Sequence, residues 1–222
     1  MDFIFMLTRG DETVEDCLEV LESIRSVGLR HVGFKDVGVD LATLESLHGA
    51  IKATGATSYL EIVSTSAETA LASTRTAARL GVDCVLGGTD ADAALGVLRG
   101  RRAGYYPFPG FPSGHPTRLG GTPDDVAEHC RAFRAKGCAG ADLLAYRATE
   151  SDPLALVRAA RQGLGDGRLV VAGSVNSPER IRALAGAGAD AFTIGSAAFD
   201  GSFAPRQGAL ASQLRAILAA CA

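Results

Sequence analysis

Short apolar runs alternate with amphipathic stretches along the whole chain. The runs are continuous, without the every-second-residue pattern of a half-exposed strand, so they predict strands covered on both faces, as in a parallel sheet. The predicted strands are residues 3–7, 31–34, 58–63, 84–86, 143–145, 169–172 and 191–194, with 103–106 as the weakest of the eight.

Between the runs, apolar residues recur every three or four positions and predict helices with one buried face. The first such set is Val14, Cys17, Leu18, Leu21 and Ile24. Many of these stretches close on a glycine, the residue that most readily takes the left-handed conformation at a helix end. The helix-closing glycines Gly28, Gly55 and Gly81 lie 27 and 26 residues apart, about one strand–helix unit.

Helix starts show matching signals. Thr122-Pro123-Asp124-Asp125 places a capping threonine, a proline and acids in the order that opens a helix, and Ser177-Pro178-Glu179 is a similar start. Asp90, after Thr89, is interpreted as a helix cap. Eight strand–helix units predict an α/β fold, a single (β/α)8 TIM barrel over residues 1–222, with a doubly wound open sheet as the alternative.

Composition narrows the class of partner. Hydrophobic residues make up 47% and charged residues 21% of the chain, as expected for a protein with a full core. The formal net charge of -3 argues against binding to nucleic acid or to an acidic membrane surface. The five cysteines include no C-x-x-C pair and are expected to be reduced thiols. With no apolar stretch of signal-peptide or membrane-spanning length, we expect a cytoplasmic protein.

Two equivalent glycine–serine pairs end the last two predicted strands. Gly173-Ser174 follows the strand at 169–172, and Gly195-Ser196 follows the strand at 191–194. In (β/α)8 barrels the chemistry lies at the carboxyl ends of the strands, and phosphate often binds after strands seven and eight. Glycine lets the backbone approach an anion, and the amides of the following helix start can hold it. The sequence therefore predicts a phosphate site at these four residues.

The segment from 169 to 203 resembles the end of the ribulose-phosphate-binding barrels, which include the phosphoribosyl isomerase of histidine biosynthesis, indole-glycerol-phosphate synthase, thiamine-phosphate synthase and the N-acetylmannosamine-6-phosphate epimerases. The resemblance is carried by residues 177–184, by Ala187-Gly188-Ala189-Asp190-Ala191 and by Ile194-Gly195-Ser196-Ala197. It implies a phosphorylated small-molecule substrate and assigns phosphate binding to Gly173, Ser174, Gly195 and Ser196. Barrels of this type often dimerise, which leaves a homodimer open.

Lys35 is the first candidate for chemistry. The chain has only three lysines, and Lys35 alone ends a predicted strand on the catalytic side. Such a lysine can form a Schiff base with a carbonyl or stay cationic and stabilise an enediolate. Glu61 lies in an otherwise apolar strand, where a carboxylate must be paired or protonated, and it is a candidate general acid/base facing Lys35. A structural ion pair of Lys35 with Asp36 or Glu61 is the alternative.

Other strand ends and one loop supply further candidates. Arg147 is expected to clamp a substrate carboxylate or second anionic group, with Tyr146 and Thr8 as additional substrate contacts. The long segment 107–121 follows strand five on the catalytic face and is rich in proline and glycine. His115 in this segment is a candidate for proton transfer or ligand binding.

Departures from the resembling families restrict the reaction. The phosphoribosyl isomerase has an aspartate at the end of strand one, and the metal-dependent pentose-phosphate epimerases have histidines at strand ends; neither is present here. Lys35-Asp36 lacks the flanking aspartates of the decarboxylases. The aminosugar-phosphate epimerases carry a glutamate at the position of Ala172-Gly173. No cluster of metal ligands is visible, and no cofactor is expected. We therefore predict a metal-free lyase or isomerase for a small phosphorylated carbonyl compound. A noncatalytic phospho-ligand sensor or scaffold, favoured if Lys35 lies apart from the acids of other strands, is the alternative.

Overall fold

Eight parallel strands form a barrel in the computed structural model, which describes residues 1–221. Each strand except the fifth pairs with the next along the chain, and the first pairs with the last. Ala139 and Asp142 donate backbone N–H groups to Tyr105 and Pro107 O, both at 3.0 Å, and join the remaining two edges. The strands are β1 Asp2–Met6, β2 His31–Lys35, β3 Thr57–Glu61, β4 Cys84–Leu86, β5 Gly104–Tyr106, β6 Gly140–Leu143, β7 Arg168–Val171 and β8 Ala191–Ile194. The predicted (β/α)8 barrel is confirmed.

Nine α-helices surround the strands in the part of the chain that the structure describes. They are α1 Cys17–Ser23, α2 Leu41–Ala53, α3 Ala67–Leu80, α4 Ala91–Leu98, α5 Pro123–Lys136, α6 Pro153–Leu164, α7 Pro178–Ala187, α8 Ser196–Phe199 and α9 Leu210–Ala220. The predicted caps are confirmed, since Asp90, Thr122 and Ser177 accept hydrogen bonds from the N–H groups three residues on. None of the helices within 1–221 is long and apolar enough to cross a membrane.

The core has two parts. A large apolar layer fills the space between strands and helices, and a smaller cluster, which includes Ile4, Met6 and Tyr59, fills the inside of the barrel. Because side chains alternate across a strand, residues two positions beyond an interior residue also point inward. Glu61 follows Tyr59 in this way, so the apolar interior is succeeded by polar side chains at the carboxyl ends of the strands. All five cysteines are free thiols, and four are buried.

Three segments differ from the sequence-based expectation. Strand six was predicted at 143–145 but is Gly140–Leu143, because the chain turns after Leu143 into a short 3₁₀ helix, Ala145–Arg147. The segment 107–121 was expected to be irregular, but it folds into a hairpin of Phe111–Ser113 and Arg118–Gly120. A second hairpin, Thr8–Arg9 with Glu12–Thr13, follows β1 and was not predicted.

Candidate functional site

A cavity of about 300 Å³ opens at the carboxyl ends of the strands. One side is formed by the turns after β7 and β8, and the other by charged side chains from β2, β3 and the loops beside them. Its lining residues include Thr8, Asp11, Lys35, Glu61, Arg147, Gly173, Ser174, Thr193, Gly195 and Ser196. Both halves of the predicted chemistry therefore face one space.

The two glycine–serine turns are shaped by close backbone contacts. A Cβ atom on Gly195 would lie 2.7 Å from both the carbonyl oxygen and Oγ1 of Thr8, so only glycine fits where β8 passes this loop. Ser174 has a φ of 59°, a left-handed conformation that is uncommon for serine and often marks a functional turn. Ser196 begins α8, so its amide belongs to the first turn, where N–H groups lack partners inside the helix.

Arg180 secures the turn after β7. Its guanidinium donates a hydrogen bond to the Ser174 carbonyl and lies over the Tyr146 ring, with Cζ 4.4 Å from the ring centroid. Gly173 is equally constrained, because a Cβ atom there would lie 2.5 Å from Nε of Arg147. The turn after β7 is thus packed against the loop that follows β6.

Asp11 is the centre of the charged side. Its Oδ1 lies 2.7 Å from Lys35 Nζ and accepts a hydrogen bond from Arg147 at 3.2 Å, and its Oδ2 accepts another from Arg147 at 3.3 Å. Lys35 Nζ also lies 3.7 Å from Glu61 Oε1. Burial raises the pKa of Asp11, but the charge of Lys35 and the hydrogen bonds from Arg147 and Lys35 outweigh it and lower that pKa to about 2. Asp11 is therefore ionised near neutral pH and pairs with both cations.

The hairpin after β1 carries Asp11 into the cavity. Gly10 and Asp11 occupy its two turn positions with φ values of 61° and 68°, the geometry of a type I′ turn. Thr13 ties the hairpin to β2, because its Oγ1 donates to the Lys35 carbonyl at 2.7 Å and accepts from the Lys35 N–H at 2.9 Å. The same contact fixes the backbone from which the Lys35 side chain extends.

Asp142 lies on β6 beneath this network. The residue is fully buried, and neither carboxyl oxygen has a hydrogen-bond partner among the described residues. Burial raises the pKa of Asp142 well above its ordinary value, and the nearby Glu61 raises it further, while Lys35 and Arg147 act in the opposite direction. Within 1–221, no group of three or more His, Cys, Asp and Glu side chains is arranged to hold a metal ion.

The structure brings most of the predicted site residues together. Eight of them line the cavity: Thr8, Lys35, Glu61, Arg147, Gly173, Ser174, Gly195 and Ser196. Two predicted residues are not among its lining. His115 is exposed near the turn of the Phe111–Gly120 hairpin, and Tyr146 supports Arg180 from behind. The proposed roles of His115 in proton transfer and of Tyr146 in substrate contact stay predictions.

Two site residues were missed by the sequence reasoning. Asp11 is the nearest acid to Lys35, for which the sequence had offered Asp36 or Glu61 as ion-pair partners, and Asp142 is subject to the charge of Glu61. A signal for Asp11 was present, because Gly-Asp between two short polar pairs is a two-residue hairpin pattern. The sequence signal for Asp142 was weaker and consisted of a carboxylate inside the apolar run before Tyr146.

No family model matches the chain, and no curated protein matches it. Solved structures do. Orotidine 5'-phosphate decarboxylase from Pyrococcus horikoshii OT3 superposes with a TM-score of 0.72 and 12% identity over 99% of this chain and 98% of its own. A native KDPGal structure superposes with a TM-score of 0.67 and 14% identity, over 99% of this chain and 94% of its own. A third similar structure is (S)-3-O-geranylgeranylglyceryl phosphate synthase from Thermoplasma acidophilum in complex with sn-glycerol-1-phosphate. Its TM-score is 0.61 and its identity 17%, over 99% of this chain and 92% of its own. The chain therefore shares the (β/α)8-barrel fold of these structures along nearly its whole length.

Proposed function

We propose that this barrel is an enzyme, a lyase or isomerase that acts on a small phosphorylated carbonyl compound. The observation that carries the proposal is the arrangement of one cavity. The turns Gly173-Ser174 and Gly195-Ser196 line one side, and Lys35 and Glu61 line the other. A volume of about 300 Å³ suits a compound of only a few carbons with its phosphate.

The phosphate group would bind at the glycine–serine turns. The absent side chain of Gly195 and the left-handed Ser174 let backbone amides approach an anion closely. Binding energy from the phosphate, which takes no part in the reaction, would position the reacting carbon against the charged side of the cavity. Two of the similar structures, orotidine 5'-phosphate decarboxylase and the synthase in complex with sn-glycerol-1-phosphate, are named for phosphorylated compounds of this class.

Lys35 would act as a cation. Its Nζ lies 2.7 Å from Asp11 and 3.7 Å from Glu61, so two carboxylates pair with the lysine as a cation. The ammonium would stabilise the negative charge that develops on a carbonyl oxygen as an enediolate forms. Glu61, on the adjacent strand, would remove the proton from the neighbouring carbon and return it at the end of the reaction.

Arg147 would bind a second anionic or polar group of the substrate. Its guanidinium reaches the cavity from the 3₁₀ helix after β6 and is held by Asp11 and by the Thr117 carbonyl at 3.4 Å. The Thr117 contact links Arg147 to the Phe111–Gly120 hairpin, so the residue is oriented from two directions.

The noncatalytic alternative is disfavoured by the surroundings of Lys35. A sensor that had lost its chemistry would be expected to leave this lysine apart from the acids of other strands. Lys35 instead contacts Glu61 on β3 and Asp11 on the hairpin after β1.

A thermal-shift screen tests the phosphate part of the proposal. Sugar phosphates are compared with their unphosphorylated analogues on the wild type and on S174D/S196D. A ligand at about one hundred times its Kd adds roughly 2.7 kcal/mol of stability. Stabilisation by phosphorylated compounds alone, lost in S174D/S196D, is the expected result. The control S23D/S46D adds the same charge at exposed positions on α1 and α2 and should behave as wild type.

Turnover of the ligands found in the screen tests the catalytic part. Lys35→Met removes the cation and should abolish turnover while phosphate-dependent stabilisation persists. Full turnover by Lys35→Met would contradict the proposed role of Lys35. No stabilisation of the wild type by any phosphate, inorganic phosphate included, would show that the two turns do not bind anions.

A further inference from the structure

Asp142 is a fully buried carboxyl group beneath the cavity. It follows Gly140 by two positions, and a Cβ atom on Gly140 would lie 3.0 Å from the ring of Tyr106, a residue of the barrel interior. Asp142 therefore points into the barrel, at the level where Lys35 and Glu61 also end. Unlike Glu61, Asp142 is absent from the cavity lining and has no exposed surface.

The two nearby cations, Lys35 and Arg147, are paired with groups other than Asp142. Lys35 Nζ contacts Asp11 at 2.7 Å and Glu61 at 3.7 Å, and Arg147 bonds to Asp11 and to the Thr117 carbonyl. Neither carboxyl oxygen of Asp142 receives a hydrogen bond from any described residue. The groups that act on Asp142 electrostatically are Glu61 from β3, Lys35 from β2 and Arg147 from the segment after β6.

A carboxylate in this position would be a buried charge without a partner. Such a group is far more costly than a buried neutral acid, so it takes up a proton instead. Glu61 differs in both respects, because it reaches the cavity and lies beside the Lys35 ammonium. Of the two acids, Asp142 is thus the better site for a proton, because only Glu61 has a cation beside it.

We infer that Asp142 is protonated in the resting protein and forms with Glu61 a carboxyl pair that carries one proton and one negative charge between them. Asp142 is a positioning residue, because it does not reach the cavity. The raised pKa of Asp142, caused by burial and by the Glu61 charge, agrees with this assignment.

The pair has a defined part in the reaction, and this part rests on the proposed function. When Glu61 removes a proton from the substrate carbon, the C–H electron pair becomes the enediolate and Glu61 gains the proton. The carboxyl pair then holds two protons and no charge, and Lys35 is left to neutralise the enediolate. Return of one proton to carbon restores the resting pair. An ionised Asp142 would keep a negative charge beside the enediolate and oppose its formation.

Thermal unfolding across pH tests the charge assignment without a substrate. A raised folded pKa means that the folded state keeps a proton which the unfolded chain releases, so wild-type stability should fall as pH rises above about 4. Asp142→Asn removes this dependence. D142N should melt above wild type near neutral pH, and the difference should vanish below about pH 4. The control D166N changes an acid whose side chain is 90% exposed, and its melting temperature should match that of wild type both near neutral pH and below about pH 4.

Two further measurements complete the test. The D142N gain should shrink in an E61Q background, because the neighbouring charge that disfavours ionisation is then gone. Infrared spectra of wild type labelled with ¹³C-aspartate should show a protonated carboxylic acid near neutral pH, whether or not D142N folds. A lower or unchanged melting temperature for D142N at neutral pH, together with no acid band in wild type, would overturn the inference.

Inorganic phosphate separates this inference from the proposed function. D142N leaves the glycine–serine turns intact, so phosphate should raise its melting temperature as much as that of wild type. If phosphate stabilises neither protein while the acid band and the pH-dependent gain are present, the proposed function fails and the protonated Asp142 stands.

Discussion

Asp11→Asn removes the anion that holds Lys35 and Arg147 but keeps the shape of the side chain. The turn should survive, because asparagine tolerates the left-handed backbone at this position, where φ is 68°. The hydrogen bonds that Thr13 makes to the backbone of Lys35 are untouched. The variant therefore tests the charge of Asp11 separately from the fold of its hairpin.

The expected loss follows from the ionisation of Asp11. Its pKa falls from 3.8 to about 2 in the folded protein. At 1.36 kcal/mol for each pKa unit, the ionised form is stabilised over the neutral form by about 2.4 kcal/mol. The side chain is only 13% exposed, so solvent screens this interaction weakly. We expect D11N to lower the free energy of unfolding by about 2 kcal/mol at pH 7.

The loss should depend on pH with a known sign. Between the folded pKa of about 2 and the unfolded value near 3.8, the unfolded chain binds more protons, so wild-type stability falls as pH falls through this window. D11N lacks the titrating group, and its deficit should therefore shrink towards pH 2. Urea unfolding at pH 7 and at pH 3 measures both values.

Asp166→Asn is the matched control. It makes the same substitution at an exposed acid that pairs with Arg134 on the surface, where an ion pair contributes little. Two results would refute the assignment of Asp11 as the anion that organises the site. One is a D11N variant as stable as wild type at pH 7, and the other is a loss in the free energy of unfolding that is as large at pH 3 as at pH 7.

Two further substitutions test the turns that are proposed to bind phosphate. Gly195→Ala places a Cβ atom 2.7 Å from two Thr8 oxygens and should cost about 1–3 kcal/mol of stability in urea unfolding, whereas Gly186→Ala on α7, with open space around it, should not destabilise. Tyr146→Leu removes the ring under Arg180 and should weaken phosphate-dependent stabilisation in the thermal-shift assay, while Tyr146→Phe keeps the ring and should match wild type. Equal stability of G195A and G186A, or equal phosphate-dependent stabilisation of Y146L and Y146F, would contradict the packing described for these turns.

The order of elements and the glycine–serine turns could be predicted from the sequence, because both depend on local properties. Continuous apolar runs and capping residues such as Thr122 and Ser177 mark where strands and helices begin. In a closed barrel of parallel strands, the carboxyl ends of all strands lie at the same rim, so the sequence alone predicts that Lys35 and Glu61 face each other.

Only the tertiary structure decided which charges meet. Asp11 reaches Lys35 because an unpredicted hairpin folds over β2 and is held there by Thr13, a contact 22 residues apart in sequence. His115 is exposed because the 107–121 segment pairs with itself, which turns that side chain outward. The charge state inferred for Asp142 depends on both cations being bound elsewhere. Periodicity reports which face of an element is buried, but the partner of a buried charge is set by contacts between distant segments.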